Sequence, residues 1–162
     1  MAAHMRRSRF NPVLALVYMT FLVAFAVVGL AAYWMLAPYE VLRVTNAHMS
    51  QSVVMQGQTT AYSDDYIKLL DIDGQATRAF VDGIVYDAGS YDSALPVQLT
   101  PKRIVRPVTI PSTLPPGRYH LQITVRYQVN PLRELVYQFY TDEFTVVANP
   151  ANPDASGDTH PK

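Results

Sequence analysis

The chain contains no cysteine. No disulfide or thiolate ligand can therefore stabilise it, and an anchor made by lipid-modified cysteine is excluded. Acidic residues are absent before Glu40, and all thirteen lie from Glu40 onward. A second acid-free stretch runs from Ser93 to Arg133. The sequence also lacks G-x-S-x-G, a phosphate-cradling glycine loop and H-E-x-x-H. Its histidines (His4, His48, His120, His160) are scattered without metal-ligand spacing. Asp142 and Glu143 are adjacent, so a strand would send them to opposite faces, which suits an acid/base pair poorly. These absences point away from an enzyme, a metal site or a bound cofactor.

One long apolar run organises the rest. Val13 to Leu36 is 24 residues without Asp, Glu, Lys, Arg or His. As a helix it would span roughly 36 Å, against a hydrocarbon core of about 30 Å. Arg6, Arg7 and Arg9 precede it, which places the N-terminus in the cytoplasm by the positive-inside rule. Tyr33 and Trp34, with Tyr39 beyond, fall where an outer aromatic belt belongs. Pro12 fits the first turn and Pro38 the end. A cleaved signal peptide is the rival reading, with small-x-small sites at Gly29-Leu30-Ala31 or Ala24-Phe25-Ala26. The run is longer than a signal core of about 7–15 residues, and the Tyr-Trp-Met-Leu continuation is unlike a polar cleavage region. An uncleaved membrane anchor is preferred. No G-x-x-x-G occurs in the run, so helix pairing has no motif behind it.

After Glu40 the apolar period changes from helical to two. EVLRVTN and SVVMQ read as short strands. TTAYSDDYIKLLDIDGQ reads as a loop, a strand around Tyr66–Ile72 and a turn at Asp73-Gly74. RAFV-DG-IVY reads as a hairpin on a two-residue turn, and DAGSYDSALP as loop. KRIVRPVTIP is extended, with Pro107 confining it to an edge or a bulge. In LPPGRYHLQITVRYQV, Tyr119, Leu121, Ile123, Val125, Tyr127 and Val129 alternate strictly with polar residues, predicting one buried and one wet face. Leu135, Tyr137 and Phe139 continue the apolar face, and Phe144 and Val146 resume it on the opposite parity. That change requires a bulge at Thr141-Asp142-Glu143. Tyr119, soon after a Gly turn and two residues before the core residue Leu121, is placed like the tyrosine corner of immunoglobulin-type sandwiches. The expected fold is mainly β. An N-terminal transmembrane helix precedes an antiparallel immunoglobulin-like β-sandwich. The expected divisions are a basic tail (1–12), the helix (13–37), an extracytoplasmic sandwich (38–147) and a disordered tail (148–162).

From about Arg78 to Val147, the RAFVDGIVY segment, VTIPSTLPPGRYHLQITVRYQVNPLR and the final TDEFTV resemble small single-pass membrane proteins of tailed bacteriophages. Most of that group carries no assigned activity. The resemblance therefore implies a phage origin and a place in the bacterial inner membrane, with the domain in the periplasm. Lysis support or exclusion of a second phage would suit that place. A virion structural or assembly protein is the alternative.

Charge is segregated along the domain. Seven Asp (64, 65, 71, 73, 82, 87 and 92) lie against Lys68 and Arg78, whereas Lys102, Arg103, Arg106, Arg118, Arg126 and Arg133 occupy the acid-free stretch. Either the two blocks pair across the sheet, which is preferred, or a basic face meets an anionic partner. Asp71-Ile72-Asp73-Gly74, with Asp64 and Asp65 nearby, resembles part of a calcium loop but lacks its third acid and distant Glu. Beyond the helix there are ten basic and thirteen acidic residues, a net charge of −3, which argues against nucleic acid. The expected partners are the lipid bilayer and an envelope protein or anionic surface component. Arg118, Arg126, Asn130 and Arg133, on the wet face and tip of the best hairpin, are the candidate contacts. Oligomeric state is not legible.

Overall fold

The computed structural model describes residues 11–37 and 39–150. Arg6, Arg7, Arg9, His4, His160, Pro38 and the expected loose tail beyond residue 150 lie outside the described residues. The chain divides after Pro38 into a helical unit and a β unit.

Helix α1 is Pro12–Leu36. Asn11 caps it, its side-chain oxygen accepting the Val13 N–H at 3.1 Å, and Pro12 takes the first helical position, where no N–H is needed. The Thr20 hydroxyl donates to the Leu16 carbonyl at 3.0 Å, so this polar group is satisfied within the helix. No side chain of α1 is buried by protein. By length and composition the helix is a membrane anchor or a signal sequence.

Among the described residues the β unit is an antiparallel sandwich of nine strands. These are β1 (Leu42–Met49), β2 (Val53–Met55), β3 (Thr59–Lys68), β4 (Gly74–Val81), β5 (Val85–Ser93), β6 (Gln98–Thr109), β7 (Gly117–Asn130), β8 (Arg133–Tyr140) and β9 (Phe144–Val147). One sheet has the order β1-β3-β6. The other runs β2-β9-β7-β4-β5, with β8 also paired to β7. Among the described residues only the short β2–β9 contact is parallel. The inner faces meet over Tyr62 and Tyr66 from the smaller sheet and Phe80, Leu121, Ile123, Val125, Phe144 and Val146 from the larger. Edge-to-face ring pairs add directionality, Phe80–Phe144 at 6.1 Å and Tyr127–Tyr137 at 5.9 Å.

Strand β7 follows its expected alternation. Tyr119, Leu121, Ile123, Val125 and Tyr127 are buried, and Val129 is half-buried. The parity change also takes its expected form. Gln122 pairs with Tyr140 and Tyr119 with Phe144, so β7 advances three residues while the facing chain advances four. The surplus residue is absorbed at Thr141–Glu143, returning Phe144 and Val146 to the core. Buried Thr141 holds the bulge: its hydroxyl accepts the Leu121 N–H at 3.1 Å and donates to the Asp142 carbonyl at 3.0 Å. His120 faces solvent as expected, and its Nδ1 lies 3.0 Å from the Thr141 carbonyl, which can only accept, so a hydrogen bond there has Nδ1–H as the donor.

Four local expectations are corrected. Thr59–Lys68 is one strand, not a loop leading into a strand at Tyr66–Ile72. Its inward row is Thr60, Tyr62, Asp64, Tyr66 and Lys68, and two ionisable residues in that row broke the apolar pattern. DAGSYDSALP is not a loop as far as Ser93, because β5 continues through it as a largely exposed edge. A bulge makes this possible: Gly89 takes a φ of +88°, and its N–H donates to the Asp87 carboxylate at 2.9 Å. The β4–β5 hairpin exists, but Val81 pairs with Val85, leaving three loop residues instead of two. Gly83, with a φ of +110°, supplies the left-handed turn position. Asn149, expected in a loose tail, is bonded to buried Gln56 at 3.2 Å and 3.3 Å. The Gln56 amide needs such partners once it leaves water.

β6 is an edge strand, as Pro107 required. Its register shifts between Lys102 and Gln98, where Pro101 sits, and Pro101 and Pro107 both lack the N–H a neighbouring strand would use.

The Tyr119 hydroxyl donates to the Pro115 carbonyl at 2.8 Å, the tyrosine-corner bond. Burial, and then the Asp82 carboxylate, push its phenol up to about 12, so it stays protonated and able to donate. Tyr119→Phe keeps the ring and loses this bond. We expect a cost of about 1 kcal/mol, or roughly 4–8 °C in Tm, measured by urea and thermal unfolding.

Candidate functional site

The ionisable residues of β3 face both ways, and each direction has its own partner. Asp65 points outward, and Arg103 of β6 grips it with two hydrogen bonds of 2.9 Å. Those bonds lower the Asp65 carboxyl and raise Arg103. Asp64 points inward, with a side chain only 2% exposed, and accepts from Arg106 Nη1 at 2.8 Å. Burial nevertheless raises the Asp64 carboxyl above its ordinary range, outweighing the pull of Arg106. The two charge blocks therefore pair across the smaller sheet at these positions. Among the described residues no group of three or more His, Cys, Asp or Glu could hold a metal.

Arg106 does more than neutralise Asp64. Its guanidinium lies 5.3 Å from the centre of the Tyr91 ring, and that of Arg78 lies 5.0 Å from the same ring. The Tyr91 hydroxyl meets that of Tyr62 at 2.9 Å, and Arg78 Nη1 donates to the Pro107 carbonyl at 2.8 Å. Residues of β3 and β6 are thus joined to residues of β4 and β5 across the gap between sheets. Desolvation raises the Tyr62 phenol, so no easily lost proton is available there. Lys68 makes a similar tie nearby. It is fully buried, donates to the Leu95 carbonyl at 2.5 Å and lies 5.9 Å from the Tyr127 ring. These groups are spent on holding the sheets together.

The four residues expected to form a contact surface are not one surface. Arg118 and Asn130 stand at opposite ends of β7, twelve residues and roughly 40 Å apart at strand rise. Arg118 faces Glu143 at 3.5 Å. Asn130 serves the hairpin turn, its side-chain oxygen accepting the Leu132 N–H at 3.0 Å. The Arg133 guanidinium lies 5.8 Å from the centre of the Tyr39 ring. Arg126 is exposed on the outer face of β7, between Gln75 and Val136. Strand alternation put Arg118 and Arg126 on the outer face, but the rise per residue separates them, and Arg133 shares the parity of the inward Leu135 and Tyr137. Of the residues named as the membrane belt, Tyr33 is exposed on α1 and Trp34 is partly covered.

Sequence reasoning missed the outer face of the larger sheet as a unit. Ser90, Thr77, Thr124 and Gln138 form a straight cross-strand row over β5, β4, β7 and β8. Two shallow grooves, about 410 Å³ and 310 Å³, lie on this side of the domain and share Thr77. The signal was present as polar positions alternating with core positions, but it became a surface only once the strand order was known.

No family model matches the chain, and no curated sequence matches it. Solved structures with partial likeness include the C-terminal domain of Wzt, at 9% identity and a TM-score of 0.45, over 68% of this chain and 75% of that one. Spo0M, a sporulation control protein from Bacillus subtilis, gives 12% identity and a TM-score of 0.41, over 69% of this chain and 51% of that one. The CARDB domain of the PF1109 protein from Pyrococcus furiosus, solved with di-metal ions, gives 17% identity and a TM-score of 0.37, over 70% and 100%.

Two pairs of variants test the electrostatics. The side chain in Asp64→Asn is neutral at every pH. Relative to that variant, the wild type should be most stable below about pH 4 and lose ground as pH rises through the raised folded pKa. Asp65→Asn should give the opposite slope. The wild-type advantage there is present above about pH 4 and is lost as pH falls through the depressed folded pKa. Urea midpoints from about pH 3 to pH 8 would read both slopes. Separately, Arg106→Met should cost about 3 kcal/mol by stranding Asp64, and Asp64→Leu with Arg106→Met should recover most of that loss.

Proposed function

We propose that this protein is a single-pass protein of a bacterial inner membrane, with its N-terminus in the cytoplasm. It displays the sandwich in the periplasm as a non-enzymatic binding module. The observation that carries the reading is the 25-residue helix α1, whose side chains include no charge and find no buried place in the protein. Such a surface is stable in lipid and costly in water. Arg6, Arg7 and Arg9 before it and Glu40 after it support the orientation. Binding is favoured over catalysis because the buried ionisable groups Asp64, Arg106 and Tyr62 are committed to inter-sheet contacts, whereas the outer strands offer broad polar surface. The resemblance of residues 78–147 to phage membrane proteins supports a role in the envelope of an infected cell, in lysis or in exclusion of a second phage.

Fractionation tests the anchor. A C-terminally tagged chain should stay in carbonate-washed membranes at its full 18.1 kDa plus the tag. Proteases added to spheroplasts should digest the domain. A shorter soluble species would mean that the helix is a cleaved signal. In-cell crosslinking followed by mass spectrometry tests the binding role. Reproducible capture of an envelope component is expected, and capture of virion proteins alone would replace it with an assembly role.

A further inference from the structure

We infer that the outer face of β5–β4–β7–β8 is a binding surface for a neutral polysaccharide strand. This rests on the binding-module reading above and names its ligand class. The central row, Ser90–Thr77–Thr124–Gln138, carries no charge. Gln75 and Gln122 stand in the rows on either side, between Asp92 and Arg126 in one and beside Tyr140 in the other. Hydroxyl and amide side chains both donate and accept, as sugar hydroxyls do, so the two surfaces can exchange hydrogen bonds without desolvating an ion. Tyr140, half exposed at 50%, presents an aromatic ring at the margin, and the Gln138 amide bonds its hydroxyl. A ring so held can cover the apolar C–H face of a pyranose.

Size and charge choose this occupant over others. Three strand spacings by two residue rows give roughly 14 Å by 14 Å, about 200 Å², against about 800 Å² per partner in a standard protein interface. Arg126 is outnumbered on this face by Asp87 and Asp92, so phosphate-bearing partners gain nothing from it. The two grooves that share Thr77 lie within or near the volume range of small-ligand sites, and they are open, which suits a linear chain passing across the sheet.

The test uses the full-length chain in nanodiscs on an array of neutral and acidic bacterial polysaccharide fragments. Short glucose and N-acetylglucosamine oligomers complete the array. At least one neutral glycan should bind, with affinity nearly constant between about 50 mM and 500 mM salt. Thr77→Arg should weaken that binding by about tenfold or more, and the milder Thr124→Ala with Gln122→Ala should weaken it in the same direction. Unchanged urea midpoints would show that both variants fold. The inference is overturned if no neutral glycan binds, if only acidic glycans bind, or if neutral binding survives Thr77→Arg in a folded protein. Crosslinking capture by Thr77→Arg separates the two levels. A protein partner retained in that variant, with no glycan bound, would leave the binding module standing and remove the glycan.

Discussion

Strand β7 is the constraint on which the domain depends. It is hydrogen-bonded to β4 along one side and to β8 and then β9 along the other, and its inner row supplies five buried side chains. A strand bonded on both sides cannot slip by one residue without turning its whole apolar row to water. The facing chain therefore has to adapt, and the single surplus residue held by Thr141 is that adaptation. Tyr119 fixes the start of β7 in the same way, by tying the ring to the backbone four residues earlier.

The second constraint is polar. A buried Asp–Arg pair is a costly way to hold two layers together, since each ion leaves water. Here the cost is spread over a cluster. Arg106 serves Asp64 and the Tyr91 ring, Arg78 serves the same ring and the Pro107 carbonyl, and Tyr91 reaches Tyr62. Apolar contacts tolerate sliding, whereas these contacts are directional and fix how the smaller sheet lies on the larger.

How much of this was legible follows from where the physics is local. The helix needed only composition, and β7 needed only alternation. The bulge at Thr141–Glu143 could be placed because Phe139 and Phe144 both had to reach the core on opposite parity. Strand β3 was misread because its inward row includes Asp64 and Lys68, whose partners are Arg106, 42 positions away, and the Leu95 carbonyl, 27 positions away. Strand β5 was misread because an exposed edge with a glycine bulge has no apolar period to read. Of the candidate contacts, Arg126, Asn130 and Arg133 lie in the β7–β8 hairpin, whereas Arg118 pairs with Thr145 of β9. Face alone, without distance along the strand, could not say whether they act together.

The irregular edge at β6 bears on crowding. A domain tethered to a surface meets other copies in two dimensions, where a modest copy number gives a high local concentration. An unpaired strand edge is then a template for polymerisation. The longest edge here is interrupted by two prolines and a register shift, and it carries Lys102 and Arg103 between them. On the anchored reading proposed above, these interruptions keep β6 from templating a shared sheet between neighbouring molecules.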